Sequence, residues 1–208
     1  MYRFLLPCLA LVAACVTHTP SPVGDAFLAA CAPPALTVRF ADPDGLPRGY
    51  DEATHAAFSP EGASPQGYAA SIVEERIAAG LAPRLAAYRG EAACRLDVAV
   101  ENVILPDATR FTPLSGMKSF GVGVVLTGPD GAVLAETARP FTVLSEMQRS
   151  SRFGGSAWRR LGRTDALRVD AILSLSEETA LVVGEAVTGG RAQSGLSGRL
   201  VAYPERVR

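Results

Sequence analysis

Gly128-Pro129-Asp130-Gly131 divides two stretches of alternating apolar residues, and no other short segment of this chain of 208 residues restricts its folding as much. Before it, Phe120, Val122, Val124 and Leu126 alternate with glycines and Val125; after it Val133, Ala135 and Thr137 lead on to Phe141 and Val143. Proline presets φ for the second position of a type I turn, and glycine suits the fourth. The period of two makes both arms strands, with their apolar residues on one face. The prediction is a β-hairpin that must bury that face under a second layer.

Two segments have the pattern to supply that layer. Between Tyr68 and Tyr88, Ile72, Ile77, Leu81, Leu85 and Tyr88 recur at helical spacing around Glu74, Glu75, Arg76 and Arg84, with Pro83 as an expected kink or break. From Thr164, a candidate N-cap, Leu167, Ile172, Leu175 and Leu181-Val182 mark a second helix that Gly189-Gly190 stops. Leu36 to Phe40 and Leu96 to Leu105 alternate as two further strands. The order β-α-β-β-β-α predicts an α+β fold, a four-stranded mixed sheet with both helices on one face. Its first strand-helix-strand unit places two strands parallel. Residues 41–66 hold Pro43, Pro47, Pro60 and Pro65 and read as a long functional or disordered loop.

The start of the chain is an address. Arg3 precedes the apolar run Phe4 to Ala14, about half of what a membrane-spanning helix needs, which is the layout of a secretory signal. Val12-Ala13-Ala14-Cys15 resembles the lipobox of bacterial lipoproteins. That resemblance implies cleavage before Cys15 and acylation of the cysteine. With Val16 rather than aspartate next to it, it also implies sorting to the periplasmic face of the outer membrane. Multiple acyl chains would anchor the protein without any transmembrane helix. The expected organisation is a signal peptide over 1–14, a lipidated Thr/Pro/Ser tether over 15–35, one domain over 36–190 and a loose tail over 191–208 that has an edge strand as its alternative.

Cleavage would discard Cys8 and leave Cys31 and Cys94 as the two thiols of an oxidising compartment. Each precedes one of the two parallel strands, so both fall at the same end of the sheet and a disulfide is expected. Closing a loop of that length would contribute about 4 kcal/mol in the chain-entropy description. A free Cys31 and a buried, unbonded Cys94 is the alternative.

Motifs that carry catalysis are few. The histidines are His18 and His55, and there is no HExxH, CxxC, GxSxG or glycine-rich phosphate loop, so no metal, nucleotide or other cofactor is expected. Ser115-Gly116-Met117-Lys118 matches the S-x-x-K of penicillin-recognising enzymes, but glycine and the strand pattern that follows oppose the helix this motif needs. Asp42-Pro43-Asp44-Gly45 lacks the later ligands of a calcium loop. Glu74-Glu75 and Glu177-Glu178 read as solvated helix faces.

Twenty Lys+Arg against twenty-one Asp+Glu give no basic excess for binding nucleic acid. One segment departs from that balance. Arg149, Arg152, Arg159, Arg160, Arg163 and Arg168 face only Glu146 and Asp165, beside Phe153 and the single tryptophan, Trp158. Arginine with tryptophan is the composition of contact hot spots, and the guanidinium suits phosphate or carboxylate. The segment is the candidate contact for an envelope protein or an anionic lipid; a solvated loop with Trp158 plugging the core is the other reading.

Taken with the lipobox, the domain resembles by architecture the small α+β lipoproteins of lipopolysaccharide assembly and of ABC-transporter auxiliaries. The resemblance implies a non-catalytic accessory or assembly factor in the cell envelope. A periplasmic small-ligand or lipid binder, with a pocket bounded by Val122, Val124 and Ile172, and an envelope hydrolase using Ser115 and Lys118 are the alternatives.

Overall fold

The computed structural model describes residues 17–41, 65–104, 119–144, 164–194 and 198–207. Its hairpin is the predicted one. Strand β4 (Ser119–Thr127) and strand β5 (Val133–Arg139) pair antiparallel around a turn closed by Gly131 N–H donating to the Gly128 carbonyl at 3.1 Å. Gly131 sits at φ 81°, a conformation a Cβ disfavours, and the adjacent register shift is a bulge that accommodates it.

Strand β2 (Ala35–Phe40) pairs parallel with strand β3 (Arg95–Ile104), which pairs antiparallel with β4. Strand β6 (Phe141–Leu144) pairs with the first half of β4. Pro140 separates it from β5, because proline has no N–H to continue the ladder. The fold is α+β with a mixed sheet, as expected, but the sheet is larger than the four strands predicted: six strands in the order β2-β3-β4-β5 and then strand β8 (Arg199–Ala202), with β6 beside β4.

The additions come from the two ends of the chain. Strand β1 (Thr17–Pro20) and strand β7 (Arg191–Ser194) form a separate antiparallel ribbon, and strand β8 (Arg199–Ala202) joins β5, followed by a 3-10 turn at Pro204–Arg206. Helix α1 (Asp25–Ala30) seats Phe27 and Leu28 in the core. Residues 17–35 are therefore built into the domain rather than forming a tether, and so are the described tail residues 191–194 and 198–207. Both segments gain their backbone partners from each other or from β5, and local pattern does not report such pairings.

Helix α2 (Pro65–Leu85) and helix α3 (Thr164–Val187) supply the covering layer. Leu96, Val98 and Val100 stand opposite Leu126, Val124 and Val122, all buried against that layer together with Val73, Ile77, Leu81, Leu85 and Leu175. Pro83 lies in the last turn of α2, where the helix ends two residues later. On α3 the deep positions are Ser176, Thr179, Ala180, Val183, Ala186 and Val187, while Leu181 and Val182 are half-buried, a rotation of the predicted face. Glu178 is buried, against the solvated reading, and Glu177 is exposed. The predicted stop holds: Gly189 is at φ 83° and Gly190 N–H reaches back to the Glu185 carbonyl at 2.8 Å, a Schellman closure.

Candidate functional site

Cys31 and Cys94 are bonded, with Cα atoms 5.6 Å apart. The route is the one the parallel strands imply: Cys31 precedes β2, Cys94 precedes β3, and Ala35 and Arg95 are register partners. Backbone bonds flank the bridge, from Ala32 N–H to the Ala92 carbonyl at 2.8 Å and from Arg89 N–H to the Leu28 carbonyl at 2.8 Å. Both cysteines are buried, which is the setting of a structural bond.

At the opposite end of the sheet, β2 and β3 finish, β4 starts and β6 finishes, since Phe40 is level with Val100, and Ile104 and Leu144 both face Ser119. Helix α2 begins after the connection from β2, and α3 begins after the connection from β6. The two helices run parallel, because Gly80 meets Ala180 and Gly184 meets Arg84 one turn further along both. The described flanks of 42–64, 105–118 and 145–163 thus lie at one end of the domain and the disulfide at the other. Phe40 and Leu144 are separated by three strand spacings of about 4.8 Å each. The chain departs here three times, and two of the departures lead into the proline-rich segment and the arginine-tryptophan segment, which the sequence does not link.

Arg149, Arg152, Phe153, Trp158, Arg159, Arg160 and Arg163 lie outside the described residues, as do Cys15, His55, Ser115 and Lys118. His18 falls on β1. Val122 and Val124 are packed in the hydrophobic core. Among the described residues no group of three or more His, Cys, Asp or Glu is placed to hold a metal, and no helix is long and apolar enough to cross a membrane.

Two tyrosines depart from their ordinary acidity. Burial pushes the Tyr88 phenol well above its usual range, and its hydroxyl donates to the Val187 carbonyl at 2.6 Å, fastening the end of α2 to the end of α3. The Tyr203 phenol is also raised, first by its hydrogen bond to the Glu136 carboxylate at 2.8 Å, and the Arg206 guanidinium stacks 4.0 Å above its ring. That cluster pins the chain end to the outer end of β5. Sequence reading missed it because Glu136 and Tyr203 are 67 positions apart.

No protein-family model and no curated protein matches this chain. Among solved structures it is similar to a PelC variant dodecamer from Paraburkholderia phytofirmans, at 17% identity over 79% of this chain and 97% of that one. The TM-score is 0.26, below the value of a shared fold.

Proposed function

We propose that this protein is a non-catalytic lipoprotein, held by an acylated Cys15 at the periplasmic face of the outer membrane, that serves as an accessory or assembly factor in outer-membrane biogenesis or lipid transport. The observation that carries the envelope reading is the buried Cys31–Cys94 bond, because such a structural disulfide persists in an oxidising compartment and is rare in the cytosol. It agrees with the signal-like start of the chain and the lipobox at Val12 to Cys15. An accessory role is supported by the shared end of the domain at which the described flanks of 42–64 and 145–163 lie, since both segments hold arginine and aromatic residues, the composition of contact hot spots.

The test combines lipid labelling with capture in the native envelope. Labelled palmitate is expected in the wild type and absent from Cys15→Ala. A photo-crosslinker at Trp158 is expected to trap one defined envelope protein, and replacing Arg159 and Arg160 by glutamine is expected to weaken that capture. Equal labelling of both forms overturns the anchor; capture of no defined protein from either Trp158 or the 42–64 segment overturns the accessory role.

A further inference from the structure

Only Val16 separates Cys15 from strand β1, so Thr17 lies within about 7 Å of the cysteine by chain length alone. An acylated Cys15 sits at the headgroup layer, and the domain therefore has almost no stand-off from the membrane. Which surface it turns to the lipid depends on the direction in which β1 enters the fold.

The last residue of β1 lies at the disulfide end of the domain. Pro20 is opposite Arg191, and Ser21 N–H donates to the Gly190 carbonyl at 2.9 Å, just past the end of α3. That helix end is fastened to Tyr88, and the neighbouring Arg89 is bonded to Leu28 of α1, three residues before Cys31. The first residue of β1 lies toward the other end. Thr17 is opposite Ser194, from which the chain reaches Gly198, against Phe141, and then Arg199, level with the last residue of β5. Strand β5 runs away from the Gly128 to Gly131 turn, and that turn is at the disulfide end because Thr127 is level with Arg95. Strand β7 thus climbs away from the disulfide, and β1, antiparallel to it, descends toward it.

Lengths decide between the two ends. Thr17 is three strand steps, about 10 Å, farther from the disulfide end than Pro20, and the link from Thr17 to Cys15 spans only about 7 Å. With the disulfide end against the membrane, the cysteine could not reach the headgroups. Resting on the lipoprotein reading above, we propose that the opposite end of the domain, where β2, β3 and β6 finish and β4 starts, faces the lipid headgroups of the leaflet that holds Cys15. The disulfide and the Gly128 to Gly131 turn are directed away from the membrane.

The experiment uses the full acylated protein in phosphatidylcholine nanodiscs that carry a gadolinium chelate on some headgroups, read by the relaxation enhancement of backbone amides, which falls steeply with distance. The eight strand steps from Ser119 to Thr127 separate the two ends by about 26 Å, so the enhancement is expected to be about tenfold or more larger at Ala41 and Val143 than at Gly131 and Ala29. A Cys15→Ser chain, which carries no acyl group, is expected to show no enhancement at either end. For the acylated chain, equal enhancement at the two ends, or a larger one at Gly131, overturns the orientation. So does a larger enhancement at Val201 than at Ala41, which means that the domain lies on its β7–β8 side, and so does the expected pattern if the Cys15→Ser chain reproduces it. An N-terminal peptide whose mass lacks acyl chains overturns the lipoprotein reading instead, and the proposal with it.

Discussion

Gly80 of α2 faces Ala180 of α3 so closely that a Cβ built on the glycine would lie 2.6 Å from the alanine methyl. One turn later the stem of Arg84 crosses Gly184 in the same manner. The two long helices therefore approach closely along a parallel course, with Gly80 on α2 and Ala180 and Gly184 on α3 leaving the room.

Gly80→Val tests this contact. The added atoms have no room between the helices, and overpacking of this kind costs about 1 to 3 kcal/mol. The urea midpoint should fall with an unchanged slope, whereas Ala79→Val on the exposed neighbouring position should move it much less.

Gly90→Ala should be more damaging still. The space a Cβ would need at Gly90 is filled by the backbone of Ala29 and Ala30, and Gly90 N–H is bonded to the Cys31 carbonyl at 2.8 Å, so neither partner can rotate away. A loss of about 3 kcal/mol or more is expected in thermal or urea unfolding, the upper end for forcing atoms into packed backbone. A neutral result would mean that α1 is not docked where the structure places it.

Replacing both cysteines, Cys31→Ala with Cys94→Ala, removes a bridge between positions 63 apart. The expected loss is about 4 kcal/mol, from the restored freedom of the unfolded chain. Reduction of the wild type should reproduce most of it. Two alkylatable thiols found at these positions in protein isolated without reductant would contradict the bond.

Tyr88 gives a pH dependence with a definite sign. Burial raises its phenol in the fold, whereas the unfolded chain releases the same proton near pH 10. Above that pH the folded state binds more protons than the unfolded one, so stability is complete below it and falls as pH rises, by at most about 1.4 kcal/mol per pH unit. Tyr88→Phe should flatten this alkaline limb. At neutral pH it should cost about 1 to 2 kcal/mol, because the buried Val187 carbonyl loses its donor. Urea midpoints measured on both sides of the transition separate the two effects.

What the sequence determined by itself is local or close to local. The turn at Gly128 to Gly131, the arms on either side, the two amphipathic helices and the glycine stop after Val187 follow from residue chemistry and from periods of 2 and 3.6, which act over a few positions. The disulfide was also legible, because a right-handed strand-helix-strand unit brings the starts of its two strands together. Only the tertiary structure decided that Thr17 to Pro20 is a strand, since its partner is Arg191 to Ser194 and a ribbon closed across the chain leaves no periodic trace in a proline-bearing tetrapeptide. It also turned the buried face of α3 toward Ala180, Val183 and Val187 and away from the more apolar Leu181, because close approach to Gly80 and the stem of Arg84 on α2 favours small residues at 180 and 184. Hydrophobicity orders residues by how much burial is worth to each; which of them is buried depends on the space the opposite surface leaves.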